Sequence, residues 1–187
     1  MFKTLDIFEP SKKIFSNKSL LDNGDEDLSF VNKISKFLVS IIKENKKLAN
    51  YEEMVVSKEN NIFNTKVFTR MPLKDFLIFL HKYNKLEDCI WVTSIIYLER
   101  FCEKASVVLT EFNVHKLLFV SIVLSLKLFE DINYNNAYYS NIIGINNKEM
   151  NYLEYLFLTT FDFKLNVSKS EYNKYKKYID NFTNKLN

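Results

Sequence analysis

Apolar positions along this chain recur at steps of three and four, not two. That spacing lines one face of an α-helix and gives no half-buried strand. Over residues 28–47, Val31, Ile34, Phe37, Leu38, Ile41 and Ile42 form one such stripe. Residues 49–71 lose the period and read as a connection. Pro72 then sits where a first helical residue is tolerated. Phe76, Leu77, Phe79, Leu80 and Tyr83 carry a helix to about residue 84. Residues 87–103 form a second helix, apolar almost all round, with Trp91, Ile95, Ile96, Leu98 and Phe101. A helix of that kind is normally surrounded by others. Thr110 can cap a third helix reaching about residue 129, again mostly apolar. Residues 134–143 suggest a short fourth, which Gly144 can end in a left-handed conformation.

Asn146 with Glu149 has the spacing of a capping box and opens a fifth helix to about residue 161. Ser168 with Glu171 repeats that spacing and opens a last, lysine-rich helix. The expected organisation is an N-terminal arm (1–27), an N-terminal helix and connection (28–71), a five-helix unit (72–166) and a C-terminal helix (167–187). The arm carries an acidic cluster over residues 22–27 and could dock through Leu5, Ile7 and Phe8. The fold class is all-α, with the five-helix bundle built around a central buried helix and one flanking helix at each end.

Composition narrows the chemistry. The 187 residues hold two glycines and two prolines, too few for an all-β fold or a phosphate-cradling loop. Two cysteines and two histidines leave little for metal or nucleophile chemistry. Cys89 and Cys102 share one predicted helix, about 20 Å apart, beyond the reach of a disulfide. Free thiols fit a reducing compartment. MFKTLDIFEPSKK lacks the apolar core of a signal peptide, and the longest apolar run, residues 117–124, is too short to span a bilayer. An intracellular chain, in cytoplasm or nucleus, is expected. The net charge is +3, and the basic residues comprise 24 lysines and only 2 arginines. Lys, Asn, Ile, Phe and Tyr share AT-rich codons, so codon bias is the plain reading of that excess. Since nucleic-acid surfaces favour arginine forks, the charge argues only weakly for such a partner.

Two charges interrupt apolar stripes. At about 100° per residue, Lys127 projects with Val120, Val123 and Leu124, and Glu154 with Met150, Phe157 and Phe161. A buried unpaired charge costs several kcal/mol, so each must pair, neutralise or lie at an interface. Two readings stay open: the lysine snorkels outward while the glutamate sits at a stripe edge, or the two pair across adjacent helices and face a partner. Glu99 and Arg100, in YLERF (97–101), likewise stand among apolar neighbours, where a helix emerging into solvent would explain them equally well.

Together these pieces resemble the cyclin box. YLERF is similar to the pattern that ends the family's second helix, with Tyr97, Glu99 and Arg100 at its motif positions. Ser125, Lys127, Glu130 and Asp131 resemble the end of its third helix. Leu153, Glu154, Leu158 and FDFKL (161–165) resemble its fifth. The likeness is closest to the single-box P-type cyclins of phosphate signalling in fungi and protists. MPLKDFL (71–77), Val114 to Leu117, the Gly144–Ile145 step and Asn151-x-Leu153-Glu154 carry it. It covers about residues 68–166. It implies a non-catalytic subunit that binds and activates a cyclin-dependent serine/threonine kinase by positioning the kinase αC helix. Lys127 and Glu154 match the family's kinase-gripping pair. Leu124, Leu128, Tyr155, Leu158, Phe163 and Leu165 match the apolar contact positions around it.

The sequence also departs from the family. Glu99 replaces an aspartate, the substrate-docking patch of cell-cycle cyclins is absent from the helix after Pro72, and Trp91 lies on the next helix. The length favours one box. No cofactor, small-molecule substrate or membrane partner is expected. An enzyme reading is poor, since His81 and His115 stand alone. A nucleic-acid or transcription-factor module is the main rival. It rests on Lys169, Lys174, Lys176, Lys177 and Lys185 interleaved with Tyr172, Tyr175 and Tyr178. A helical scaffold for some other protein is the third reading.

Overall fold

The computed structural model describes residues 28–57, 62–64, 71–131 and 134–182. The N-terminal arm with Leu5, Ile7 and Phe8, and Lys185 of the last segment, lie outside the described residues. The described residues form eight helices and no strand: α1 (Leu28–Asn45), α2 (Tyr51–Val56), α3 (Leu73–Asn84), α4 (Asp88–Lys104), α5 (Val114–Phe129), α6 (Asn136–Ile143), α7 (Asn147–Thr160) and α8 (Lys169–Phe182).

Helices α4 and α5 pack along each other at the centre, and both touch α7. Residues 90–98 of α4 and 114–126 of α5 are buried without a break. That is the packing consequence of an apolar surface extending round each helix. Ser121 and Ser125 survive inside α5 because their hydroxyls donate to Leu117 O (3.0 Å) and Ser121 O (2.9 Å) within the helix. The flanking helices are not separate appendages. Helix α8 packs on both α1 and α4. Phe37 meets the rings of Tyr178 and Phe182 edge-on at 5.7 and 5.5 Å, and Lys33 bonds Asp180 at 2.8 Å.

Four local expectations meet correction or refinement. The connection over residues 49–71 contains the short helix α2, whose Tyr51 hydroxyl donates to Glu111 at 2.8 Å. Pro72 is the residue before α3, with ψ 141, not its first helical residue. Thr110 does not cap α5. Its hydroxyl instead accepts from Phe112 N in the turn before that helix, at 3.2 Å, while Asn113 stands at the N-terminus of α5. The two capping-box spacings behave as half boxes. Asn146 Oδ1 accepts from Glu149 N at 2.8 Å, and Ser168 Oγ from Glu171 N at 3.1 Å. The glutamate side chains turn instead to cations on other helices, Glu149 to Lys116 and Glu171 to Arg100. Gly144 ends α6 at φ 68, ψ 28, the left-handed stop expected of it.

The connection also hides a core residue. Phe63 is 1% exposed and packs edge-on against Phe101 at 5.2 Å and Phe157 at 6.1 Å. A phenylalanine in an aperiodic polar stretch leaves no signal that it will be a core anchor.

Candidate functional site

Lys127 lies in the last turn of α5, where a cation is favoured by the helix dipole. Glu154 is on the middle of α7, on the side whose other members, Met150, Phe157 and Phe161, are buried. Packing of α5 on α7 brings the two charges together, and Lys127 Nζ donates to Glu154 Oε1 at 2.6 Å. The pair is half-sunk, with side-chain exposures of 27% for Lys127 and 16% for Glu154. A third residue joins it from α6: Asn136 Oδ1 accepts from Lys127 Nζ at 2.7 Å, and Asn136 Nδ2 donates to Glu154 Oε2 at 2.6 Å. Asn136 carries no signal in the sequence, because asparagine is abundant here and sits on no apolar stripe.

The apolar positions that accompany the pair divide. Leu128, Tyr155 and Phe163 are exposed, at 46%, 60% and 65%. Leu158 and Leu165 are half-buried and pack against the core. Leu124, at 2% exposed, belongs to the core itself and offers no contact surface. Four residues before the exposed Leu128, it faces the interior of the bundle.

YLERF does not simply emerge into solvent. Tyr97 is fully buried, and its hydroxyl donates to Leu165 O at 2.5 Å. Burial raises that phenol to about 12, so it remains a donor. Arg100 donates to Asn166 O at 3.2 Å from both terminal nitrogens and to Glu171 at 2.6 Å. Glu99 is exposed and accepts from Tyr175. The motif thus clamps the segment after α7. In that segment Asp162 (φ 51) and Phe163 (φ 58) both adopt the left-handed region. Two non-glycine residues there cost energy, and the exposed Phe163 ring is presented at the turn they make.

The rival sites are thinner. His115 is buried, its Nε2 3.1 Å from Met71 O, and burial lowers its pKa. No group of three metal-ligating side chains occurs among the described residues. Cys89 and Cys102 are free, and burial pushes the Cys102 thiol up to about 12. On α8, Lys176 is committed to Asp88 at 2.5 Å and lies over the Phe30 ring. Tyr172 and Tyr175 pack on the core, while Lys169, Lys174, Lys177 and Tyr178 are exposed. A cavity of about 640 Å³ between α1, α4 and α8 is walled by Phe37, Ile41, Leu98, Cys102, Leu109 and Tyr175. No helix among the described residues is long and apolar enough to cross a membrane.

Fold and site together define an all-helical module with a charged pair set in a partly apolar face. The family model "Cyclin" matches residues 29–165, which includes α1 as well as the five-helix unit. The chain belongs to the cyclin family, a family of regulatory proteins. It is 31% identical over 157 residues to Cyclin-U4-1 of Arabidopsis thaliana, covering 82% of this chain and 78% of that protein. P-type similarity is present as well. The chain is 38% identical over 101 residues to Cyclin-P4-1 of Oryza sativa subsp. japonica, covering 52% of this chain and 48% of that protein. It is 28% identical over 142 residues to Cyclin-P3-1 of the same plant, covering 76% of this chain and 59% of that protein.

Proposed function

We propose that this chain is the regulatory subunit of a cyclin-dependent protein kinase and activates it by fixing the kinase αC helix. The observation that carries the reading is the half-sunk Lys127–Glu154 pair at 2.6 Å, beside exposed Leu128, Tyr155 and Phe163. A formed pair holds one cation and one carboxylate in fixed positions, able to grip polar backbone groups of a docking helix. The exposed side chains supply the apolar area that burial against a partner needs. Leu158 and Leu165 contribute at the edge of that face.

Activation follows from differential binding. A kinase needs its αC glutamate paired with the strand lysine that holds ATP phosphates. A cyclin that binds only the arrangement with αC in place shifts the population towards it. On this reading the complex works in the cytoplasm or nucleus, and substrate choice does not use the docking patch of cell-cycle cyclins. The test is affinity measurement against purified cyclin-dependent kinases, paired with a phosphorylation assay. Wild-type chain should bind one of them and raise its activity. Lys127→Ala and Glu154→Ala chains that remain folded should bind it several kcal/mol more weakly and activate it less. Full activation by both variants would overturn the reading.

A further inference from the structure

The side-chain amide of Asn136 has two N–H donors and one carbonyl acceptor. All are engaged. Oδ1 accepts from Lys127 Nζ at 2.7 Å, and Nδ2 donates to Glu154 Oε2 at 2.6 Å and to Asn151 Oδ1 at 2.8 Å. Chemistry fixes the amide's orientation, since the flipped form would aim NH₂ at an ammonium and a carbonyl at a carboxylate. The residue is not needed as a helix cap. That role falls to its neighbour Asn135, whose Oδ1 accepts from Tyr138 N at 3.0 Å. Two adjacent asparagines therefore hold separate posts: one secures α6, the other faces the charged pair.

We propose that Asn136 is a positioning residue for partner binding. It holds Lys127 and Glu154 in their paired geometry before a kinase arrives. A lysine side chain has many rotamers, and ordering it at the moment of binding reduces affinity. The amide does that ordering in the free chain, tying the end of α5 and the middle of α7 to the start of α6. Asn151, one turn before Glu154, braces the amide from behind. This inference rests on the kinase-binding reading above for its consequence, but not for its geometry.

Asn136→Ala, Asn135→Ala, Lys127→Ala and the Asn136→Ala/Lys127→Ala double variant of the full chain separate the possibilities. In the free protein, the Lys127 ammonium protons are followed by ¹H–¹⁵N NMR. Asn136→Ala should speed their exchange with water, and Asn135→Ala should not. Against a purified cyclin-dependent kinase, Asn136→Ala should weaken binding about tenfold or more, the size of a hydrogen bond to a charged group. Asn135→Ala should lower the melting temperature yet bind normally per folded molecule. In the Lys127→Ala background, Asn136→Ala should add less than it costs alone, because only its bond to Glu154 is left to lose. Unchanged ammonium exchange and affinity in Asn136→Ala would overturn the proposal, as would equal losses from Asn135→Ala or a full loss in the Lys127→Ala background. Normal binding by Lys127→Ala would instead remove the kinase-binding reading, and ammonium exchange alone would then decide the positioning role.

Discussion

Helices α5 and α7 are joined by two lysine–glutamate pairs of the same chemistry, to which the proposed function gives opposite purposes. Lys116 and Glu149 meet at 2.9 Å near the starts of the helices, while Lys127 and Glu154 meet at 2.6 Å near the end of α5. The Lys116 side chain is only 6% exposed. Its other partners are backbone carbonyls of Ile62 (3.3 Å) and Asn64 (3.5 Å), on either side of the buried Phe63. That lysine closes on its own chain and pins a strap across the core. The second pair has the Asn136 side chain as a further partner and stays reachable at the surface. Depth of burial therefore does not mark the pair proposed to bind a kinase, since the deeper lysine is the one that closes on its own chain. What differs is the setting: the Lys116 ammonium also reaches backbone carbonyls of its own chain, while the Lys127 ammonium shares Asn136 with Glu154 where the pair stays reachable.

This contrast is easiest to break at the strap. Phe63→Ala should cost about 3–5 kcal/mol of stability, because it empties a core site lined by Phe101 and Phe157. Urea denaturation would show the loss, and a change below about 1 kcal/mol would mean the strap is not anchored there. Lys127→Ala should cost about 2–4 kcal/mol of kinase affinity. The melting temperature should fall by less than about 3 °C, because the pair is partly solvated. Titration calorimetry and a thermal melt on one preparation would separate the two effects.

Lys116→Ala should do the reverse. Stability should drop by about 2 kcal/mol as Glu149 and the strap carbonyls lose their partner, with kinase affinity per folded molecule unchanged. If Lys116→Ala weakened binding as much as Lys127→Ala, the division between the pairs would fail. The smallest effect belongs to the clamp behind Phe163. Tyr97→Phe removes the bond to Leu165 O and should cost about 1 kcal/mol of stability. It should also raise hydrogen exchange over residues 161–166. An unchanged exchange pattern there would mean that the clamp does not hold the exposed ring.

The helices were largely readable from periodicity. Stripes such as Val31, Ile34, Phe37 and Leu38 repeat at helical spacing, and α1 follows them closely. Gly144 was readable because few residues other than glycine take φ 68 comfortably. Lys127 and Glu154 stood out because each breaks an apolar stripe. Asn136, Phe63 and Lys116 did not, for three different reasons. Asn136 acts through an amide set at the start of a short helix, where polar residues are ordinary. Phe63 lies in a segment with no period to interrupt. Lys116 sits in the first turn of α5, where a polar residue reads as the solvated helix start.

The sequence alone determined the class of structure, since helical periodicity, scarce glycine and proline and the cyclin-like motifs are local properties that neighbouring residues carry. It also nominated the two charges, because a charge among apolar residues is costly wherever the chain folds. Only the tertiary structure decided which lysine meets which glutamate. The packing of α5 against α7 fixes those separations, and side chains 27 or 33 residues apart are brought into hydrogen bonds that no spacing along the chain specifies. It likewise decided that Leu124 turns inward while Leu128, four residues on, faces out, because burial depends on what packs beside a helix and not only on the helix's own stripe.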